Sequence, residues 1–173
     1  ARVELPGARE VHQAYDGWGR VLSQRHWQTG ETTYRWDDFD RLESGTYATG
    51  DTVAFTYDAL GRRRTETHNG IQVHEWLYDT STLGVGRLAH TRHGSGTRTV
   101  QSYDVFGRIE EEGVSLFALG PSRSFDFEVD HDWLGRRRVV RYPGASPPEV
   151  EYRYAPSGSG LSAVLVDGVE LGR

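Results

Sequence analysis

Apolar and polar side chains alternate along this chain in short runs rather than at helical spacing. Phe55-Thr56-Tyr57, Tyr34-Arg35-Trp36, Trp76-Leu77-Tyr78 and Tyr152-Arg153-Tyr154 each place two aromatics two residues apart, on one face of a strand. Phe125, Phe127 and Val129 alternate in the same way with Asp126, Glu128 and Asp130. No segment holds a 3.6-residue period over a helical length, so essentially no helix is expected. Turn signals bound the runs: Gln28-Thr29-Gly30-Glu31, Ala48-Thr49-Gly50-Asp51, His68-Asn69-Gly70, His93-Gly94-Ser95-Gly96, the loop from Pro143 to Pro148, and Asp167-Gly168. The pattern predicts about 14 antiparallel strands of about five to nine residues each.

The turns at the other end of the strands repeat. Tyr15-Asp16-Gly17-Trp18-Gly19-Arg20 recurs as Tyr57-Asp58-Ala59-Leu60-Gly61-Arg62 and as Tyr103-Asp104-Val105-Phe106-Gly107-Arg108. His131-Asp132-Trp133-Leu134-Gly135-Arg136 changes only the first position. Looser copies are Trp36-Asp37-Asp38-Phe39-Asp40-Arg41, which lacks the glycine, and Tyr78-Asp79 reaching Gly86-Arg87 across a longer loop. A decayed copy runs from Tyr154 through Ala155, in place of Asp, to Gly158. Successive first positions lie 21, 21, 21, 25, 28 and 23 residues apart, as a hairpin array with elastic loops requires.

Each motif residue has a turn-forming role. The aspartate opens the turn by accepting hydrogen bonds from backbone N–H groups just ahead of it. The glycine supplies a positive φ, and the arginine begins the return strand. A four-residue loop would pair Tyr57 with Arg62 and Phe55 with Arg64, laying guanidinium stems along aromatic rings. The same register would set Asp126 against Arg141 and Asp130 against Arg137, as exposed ion pairs of at most about 1 kcal/mol.

So many strands, laid flat, would span roughly 65 Å, and open sheets of that width curl, split or close. The expected fold is all-β, a curled or spiral sheet of tandem antiparallel hairpins. Propeller blades are the weaker alternative, because every hairpin bears the same motif. Residues 1–173 read as one array of about seven units, an interior slice of a longer repeat protein, with the terminal units lacking polar caps.

Composition narrows the function. The 173 residues contain no Cys, no Met and no Lys, 20 basic residues that are all Arg, and a net charge of −5. Disulfides and thiolate metal sites are excluded. Arg62–Arg64 and Arg136–Arg138 are the longest basic runs, too short for a nucleic-acid stripe. Neither a signal-peptide pattern nor an apolar run long enough for a membrane helix is present. His68, His74, His90 and His93 read as exposed strand and turn residues rather than metal ligands. Asp126, Glu128 and Asp130 lie too far apart along a strand to converge on calcium, and Glu110-Glu111-Glu112 reads as a solvated edge. No nucleophile elbow, P-loop or zinc-protease motif is present. No cofactor, metal or catalytic residue is expected, and the chain reads as a non-enzyme.

The Tyr-Asp-x-x-Gly-Arg copies resemble the YD-repeat, or Rhs-repeat, family over nearly the whole chain. Trp76-Leu77-Tyr78-Asp79-Thr80 leading to Gly84-Val85-Gly86-Arg87-Leu88, and the run from Asp130 to Gly144, are similar to units of large toxins in that family. The family includes insecticidal toxin complexes and bacterial polymorphic Rhs toxins, with animal teneurins as distant relatives. The resemblance implies a β-sheet wound into a secreted or cell-surface shell. In the toxins that shell encloses a C-terminal effector until delivery, so the partners would be the rest of the polypeptide and its enclosed effector. The alternative is a module binding cell-surface glycans or proteins, with Trp18, Trp27, Trp36 and Trp76 as stacking platforms. The resemblance makes Tyr15, Asp16, Gly19, Arg20, Trp36, Asp37, Arg41, Tyr57, Asp58, Gly61, Arg62, Tyr78, Asp79, Gly86, Arg87, Tyr103, Asp104, Gly107, Arg108, Asp132, Gly135, Arg136, Tyr154 and Gly158 structural residues.

Overall fold

The computed structural model of the protein describes residues 2–5, 9–117, 122–144, 146, 148–156 and 160–171, with side chains from Val11 onward. Alternation and turn chemistry produce strands throughout, and no helix occurs among the described residues. Among the described residues, sixteen strands follow one another in a single sheet in chain order, each antiparallel to its neighbour where the register is resolved. A consecutive order of this kind is a meander of hairpins, not a set of four-stranded blades. The chain divides into two compact units, Ala1–Glu75 and Trp76–Arg173.

The first unit holds β1 (Arg2–Leu5), β2 (Arg9–Tyr15), β3 (Val21–His26), β4 (Gly30–Trp36), β5 (Leu42–Thr46), β6 (Thr52–Tyr57) and β7 (Arg63–His68), and β8 (Ile71–Tyr78) begins in it. Polar pairs lie on both of its faces, one of which also carries the half-buried Tyr34, Trp36, Val53, Phe55 and Tyr57. Thr56 and Thr65 share a hydroxyl–hydroxyl hydrogen bond of 2.6 Å on one face, and the Gln13 amide donates to Gln24 at 3.0 Å on the other. The far turns follow the sequence signals: Asn69 and Gly70 both have positive φ, as a type I′ turn requires. The Asn69 carbonyl oxygen also accepts the Thr52 N–H at 2.7 Å, joining its turn to the hairpin before.

The second unit holds β9 (Leu88–His93), β10 (Gly96–Tyr103), β11 (Ile109–Leu116), β12 (Arg123–His131), β13 (Arg137–Arg141), β14 (Glu149–Tyr154), β15 (Leu161–Val166) and β16 (Val169–Leu171). The buried hydrophobic residues among those described all lie here: Ala89, Val100, Tyr103, Val139, Val140 and Leu165. Alternation along β12 is as expected, with Phe125, Phe127 and Val129 less exposed than Asp126 and Glu128. The long loop from Asp79 to Arg87 folds back along β10. There the Thr82 N–H donates to Gln101 and the Thr82 carbonyl accepts the Tyr103 N–H, both at 3.0 Å. At the last turn, Asp167 repeats the role of Asn69, accepting the Glu149 N–H at 2.9 Å.

The registers correct two expectations. Tyr57 pairs with Arg63, not Arg62, and Phe55 with Glu66, not Arg64. Glu128 pairs with Arg141, and Asp130 with Val139. Two one-residue offsets cause this. The loop closes between the motif aspartate and arginine, so it has three residues rather than four. A bulge then follows two residues beyond the arginine, leaving Leu22, Glu43, Arg64, Arg138 and Ser162 unpaired on their return strands. A combined offset of two keeps every side chain on its expected face. Neither expected ion pair forms: Arg141 instead reaches Glu128 at 3.3 Å and Asp130 at 3.2 Å, and Asp126 accepts from the Gln101 amide at 3.1 Å.

Candidate functional site

The chemistry-bearing side chains of the motif converge on the turns, and the first layer lies within each hairpin. The aspartate N–H donates to the arginine carbonyl, and the glycine N–H donates back to the aspartate carbonyl: Asp58 to Arg62 at 2.9 Å, Gly61 to Asp58 at 3.0 Å. The carboxylate fills the space these bonds enclose. Asp58 Oδ1 accepts the N–H groups of Leu60 and Arg62, each at 2.9 Å, while Oδ2 takes Nε of Arg62 at 2.7 Å. Asp16 with Arg20, Asp37 with Arg41, Asp104 with Arg108 and Asp132 with Arg136 repeat the arrangement. Burial raises each of these aspartate pKa values. The backbone N–H groups and the guanidinium outweigh it and hold all five below the ordinary 3.8.

Glycine enters because its position has φ near +80°, as at Gly19, Gly61, Gly107 and Gly135. Where glycine is missing, Asp40 adopts φ 62° instead, one of the few residue types that tolerate it. In the longer turn the Asp79 N–H still donates to the Arg87 carbonyl at 3.0 Å, and Gly86 N–H donates to the Asp79 carboxylate at 2.6 Å. Tyr15 closes β2 and Tyr78 closes β8. Gly158 lies outside the described residues, as do Ser157 and Ser159 beside it.

A second layer, which sequence reasoning missed, joins four of the motifs to the one before. Tyr57 Oη donates to the Leu42 carbonyl at 2.8 Å, Tyr103 to Leu88 at 2.6 Å and Tyr154 to Arg137 at 2.7 Å. Trp36 does the same through Nε1, to Val21 at 2.8 Å. Each acceptor is the residue directly after the preceding motif's arginine. At Val21, Leu42 and Arg137 it directly precedes the bulged residue, where the ladder is interrupted and a carbonyl needs another donor. The signal was present in the sequence: the first motif position is Tyr, Trp or His in all seven copies and never Phe, although the chain has six Phe.

Five of the motif arginines reach the other way. Arg41 lies 4.6 Å from the Tyr57 ring centroid, Arg87 5.3 Å from Tyr103 and Arg136 4.0 Å from Tyr154. Arg20 Nη1 donates to the Asp37 carbonyl at 3.2 Å and to Asp40 Oδ1 at 2.8 Å, so the residue replacing glycine gains a partner. Arg108 Nη1 donates to the Asp132 carbonyl at 3.0 Å, and Arg87 Nη1 to the Gly107 carbonyl at 3.1 Å. The expected arginine–aromatic stacking is therefore real, but at these junctions its partner is the next hairpin's ring.

The turn tips, by contrast, face solvent. Trp18 is 81% exposed, Phe39 77%, Leu60 74%, Phe106 77% and Trp133 87%. Of the proposed stacking platforms, Trp36 is held by its Val21 hydrogen bond and Trp27 lies tilted on His26 at 5.8 Å. His90 bonds Thr99 and His68 bonds Glu66.

Comparison with known proteins agrees with this geometry. The RHS repeat family matches residues 36–70, from the Trp36 motif through the Asn69-Gly70 turn. No curated protein matches the chain. Among solved structures, a Tc holotoxin pore of Photorhabdus luminescens carrying a TccC3 mutation is 13% identical over 92% of this chain, with a TM-score of 0.72. The TcdB2-TccC3 structure is 12% identical over 91%, TM-score 0.70, and TcdB2-TccC3 with Cdc42 is 12% identical over 95%, TM-score 0.69. This chain spans 9%, 10% and 11% of those chains, respectively. Residues 36–70 thus match the RHS repeat, and the sheet has the fold of a segment of these Tc toxin components.

Proposed function

We propose that this chain is a stretch of wall in a secreted Rhs-type shell that encloses an effector domain of the same polypeptide until delivery. The observation that carries the reading is the commitment of the motif side chains to the sheet itself. Aspartates close their own turns, and rings and arginines stitch one hairpin to the next. That chemistry builds a wall and leaves no reacting group at the turns. The fold shared with Tc toxin components supports the same reading. Its partners would be the remainder of the polypeptide and the enclosed effector, with no cofactor.

The exposed tip residues favour one alternative, a module that binds glycans or proteins at a cell surface, with Trp18 the most exposed of the four platforms named above. Protease challenge of the natural polypeptide containing this chain separates the two. The shell reading expects a resistant particle that protects an effector fragment. A digest that leaves no protected fragment, together with retention of the chain on a glycan array, would overturn it in favour of the binding module.

A further inference from the structure

Six of the seven motif copies begin with Tyr or Trp. The exception is His131, at the junction between the β10–β11 hairpin and the β12–β13 hairpin. At the equivalent place in other junctions the ring serves two ends. It donates to the carbonyl beyond the preceding arginine, and at three junctions it receives that arginine's guanidinium on its face. The imidazole of His131 makes no such hydrogen bond among the described residues. It still faces the preceding unit's arginine: His131 and Arg108 line one open cavity of about 300 Å³, together with Asp104, Phe106, Glu110, Val129, Asp130 and Arg138. Arg108 crosses the junction there to the Asp132 carbonyl.

We infer that His131 makes this one junction acid-sensitive, because protonating its ring puts a second cation into a seat built for Arg108. The surrounding charges favour the neutral ring. From the β10–β11 turn come Arg108 and Asp104, and Asp104 is committed to Arg108 through both carboxylate oxygens. Strand β13 contributes Arg137, which pairs with His131 in the ladder, and Arg138. Asp130, on the histidine's own strand, binds Arg141 at 3.2 Å and Arg138 at 3.4 Å. Asp132, next in the turn, holds Arg136, and Glu110 sits exposed on the cavity rim. Desolvation, then the Arg108 charge, hold the His131 pKa below its ordinary 6.5.

The sign follows. A histidine that binds protons less readily when folded leaves the unfolded state holding more protons near its ordinary pKa. The junction is therefore at full strength above that value and loses stability as pH falls through it, the reverse of a histidine that gains a carboxylate partner.

Hydrogen exchange on the full chain tests this, following peptides that span Asp104–Arg141 and, for comparison, Asp37–Arg62. The latter contains the Arg41–Tyr57 junction. After correction for intrinsic exchange rates, lowering the pH from about 7.5 to about 5 is expected to accelerate exchange several-fold in the first segment and to leave the second unchanged. His131→Tyr, which restores the common motif, should abolish the difference, and so should the non-titrating His131→Gln. In NMR titration, Arg108→Gln should raise the His131 pKa. A His131 pKa at or above the ordinary value, or a His131→Tyr chain with the same local acid sensitivity, would overturn the inference.

Discussion

Gly107 carries two demands that can be separated by measurement. Its φ of +81° strains any residue with a Cβ, at a cost of about 1–2 kcal/mol. Its bare Cα also seats the preceding unit's arginine: a Cβ built there would lie 1.9 Å from Arg87 Nη2 and 2.1 Å from its Cζ. Gly107→Ala must therefore expel the guanidinium, breaking its hydrogen bond to the Gly107 carbonyl and its contact with the Tyr103 ring. Those losses add about 1 kcal/mol, since Arg87 itself is exposed. Gly86 isolates the first demand within the same unit, because its φ is +80° and nothing lies within 4 Å of the position of its Cβ. Expected costs are about 1–2 kcal/mol for Gly86→Ala and about 2–3 kcal/mol for Gly107→Ala, read from urea midpoints at constant slope. The decisive step is a double-mutant cycle. In an Arg87→Ala background, Gly107→Ala should cost no more than Gly86→Ala, a coupling of about 1 kcal/mol. Equal costs for the two glycines in the unaltered chain, or strict additivity with Arg87→Ala, would refute the seat.

Two further outcomes follow from the same contacts. Tyr103→Phe should destabilise the second unit by about 1–2 kcal/mol in urea denaturation, because the Leu88 carbonyl loses its donor at a buried ring. Tyr15→Phe should cost much less, since Tyr15 is 43% exposed and its hydroxyl donates to Gln13 of its own strand. Acid should weaken the turns through the five motif aspartates. Their pKa values lie below 3.8, so their contribution is complete above that value and is lost as pH falls below it. Far-ultraviolet circular dichroism against pH should show unfolding there, with Asp58→Asn shifting the onset. Retention of the sheet in strong acid would contradict the carboxylate's role.

The legible part of this fold was what a local period can carry. Strand alternation, the glycine at positive φ and the aspartate accepting from N–H groups ahead all depend on residues within five of one another. The turn glycines and Asp58 accordingly sit as expected. Register was less legible because it sums small offsets. A three-residue loop and a bulge each move the pairing by one, and neither leaves a mark on the alternation, which is blind to an offset of two. The contacts between motifs were least legible. Tyr57 and Leu42 are 15 residues apart, and only the restriction of the first motif position to Tyr, Trp and His records that a donor is needed there.

The two layers together explain why each motif position has its own tolerance. The aspartate carboxylate acts within its own hairpin, so its loss in the decayed copy at Ala155 leaves Tyr154 still bound to Arg137 and to the Arg136 guanidinium. The ring and the arginine act between hairpins and in opposite directions: the ring reaches back to the preceding unit's carbonyl, and the arginine reaches forward to the next unit's turn. Each such junction is thus closed by two contacts that depend on both neighbours being folded. Among repeats that share little buried apolar surface, this nearest-neighbour coupling makes stability accumulate along the array. A sheet joined this way should weaken locally where a junction ring is exchanged, as the inferred acid sensitivity at His131 requires, and should not weaken where an exposed tip such as Trp133 is changed.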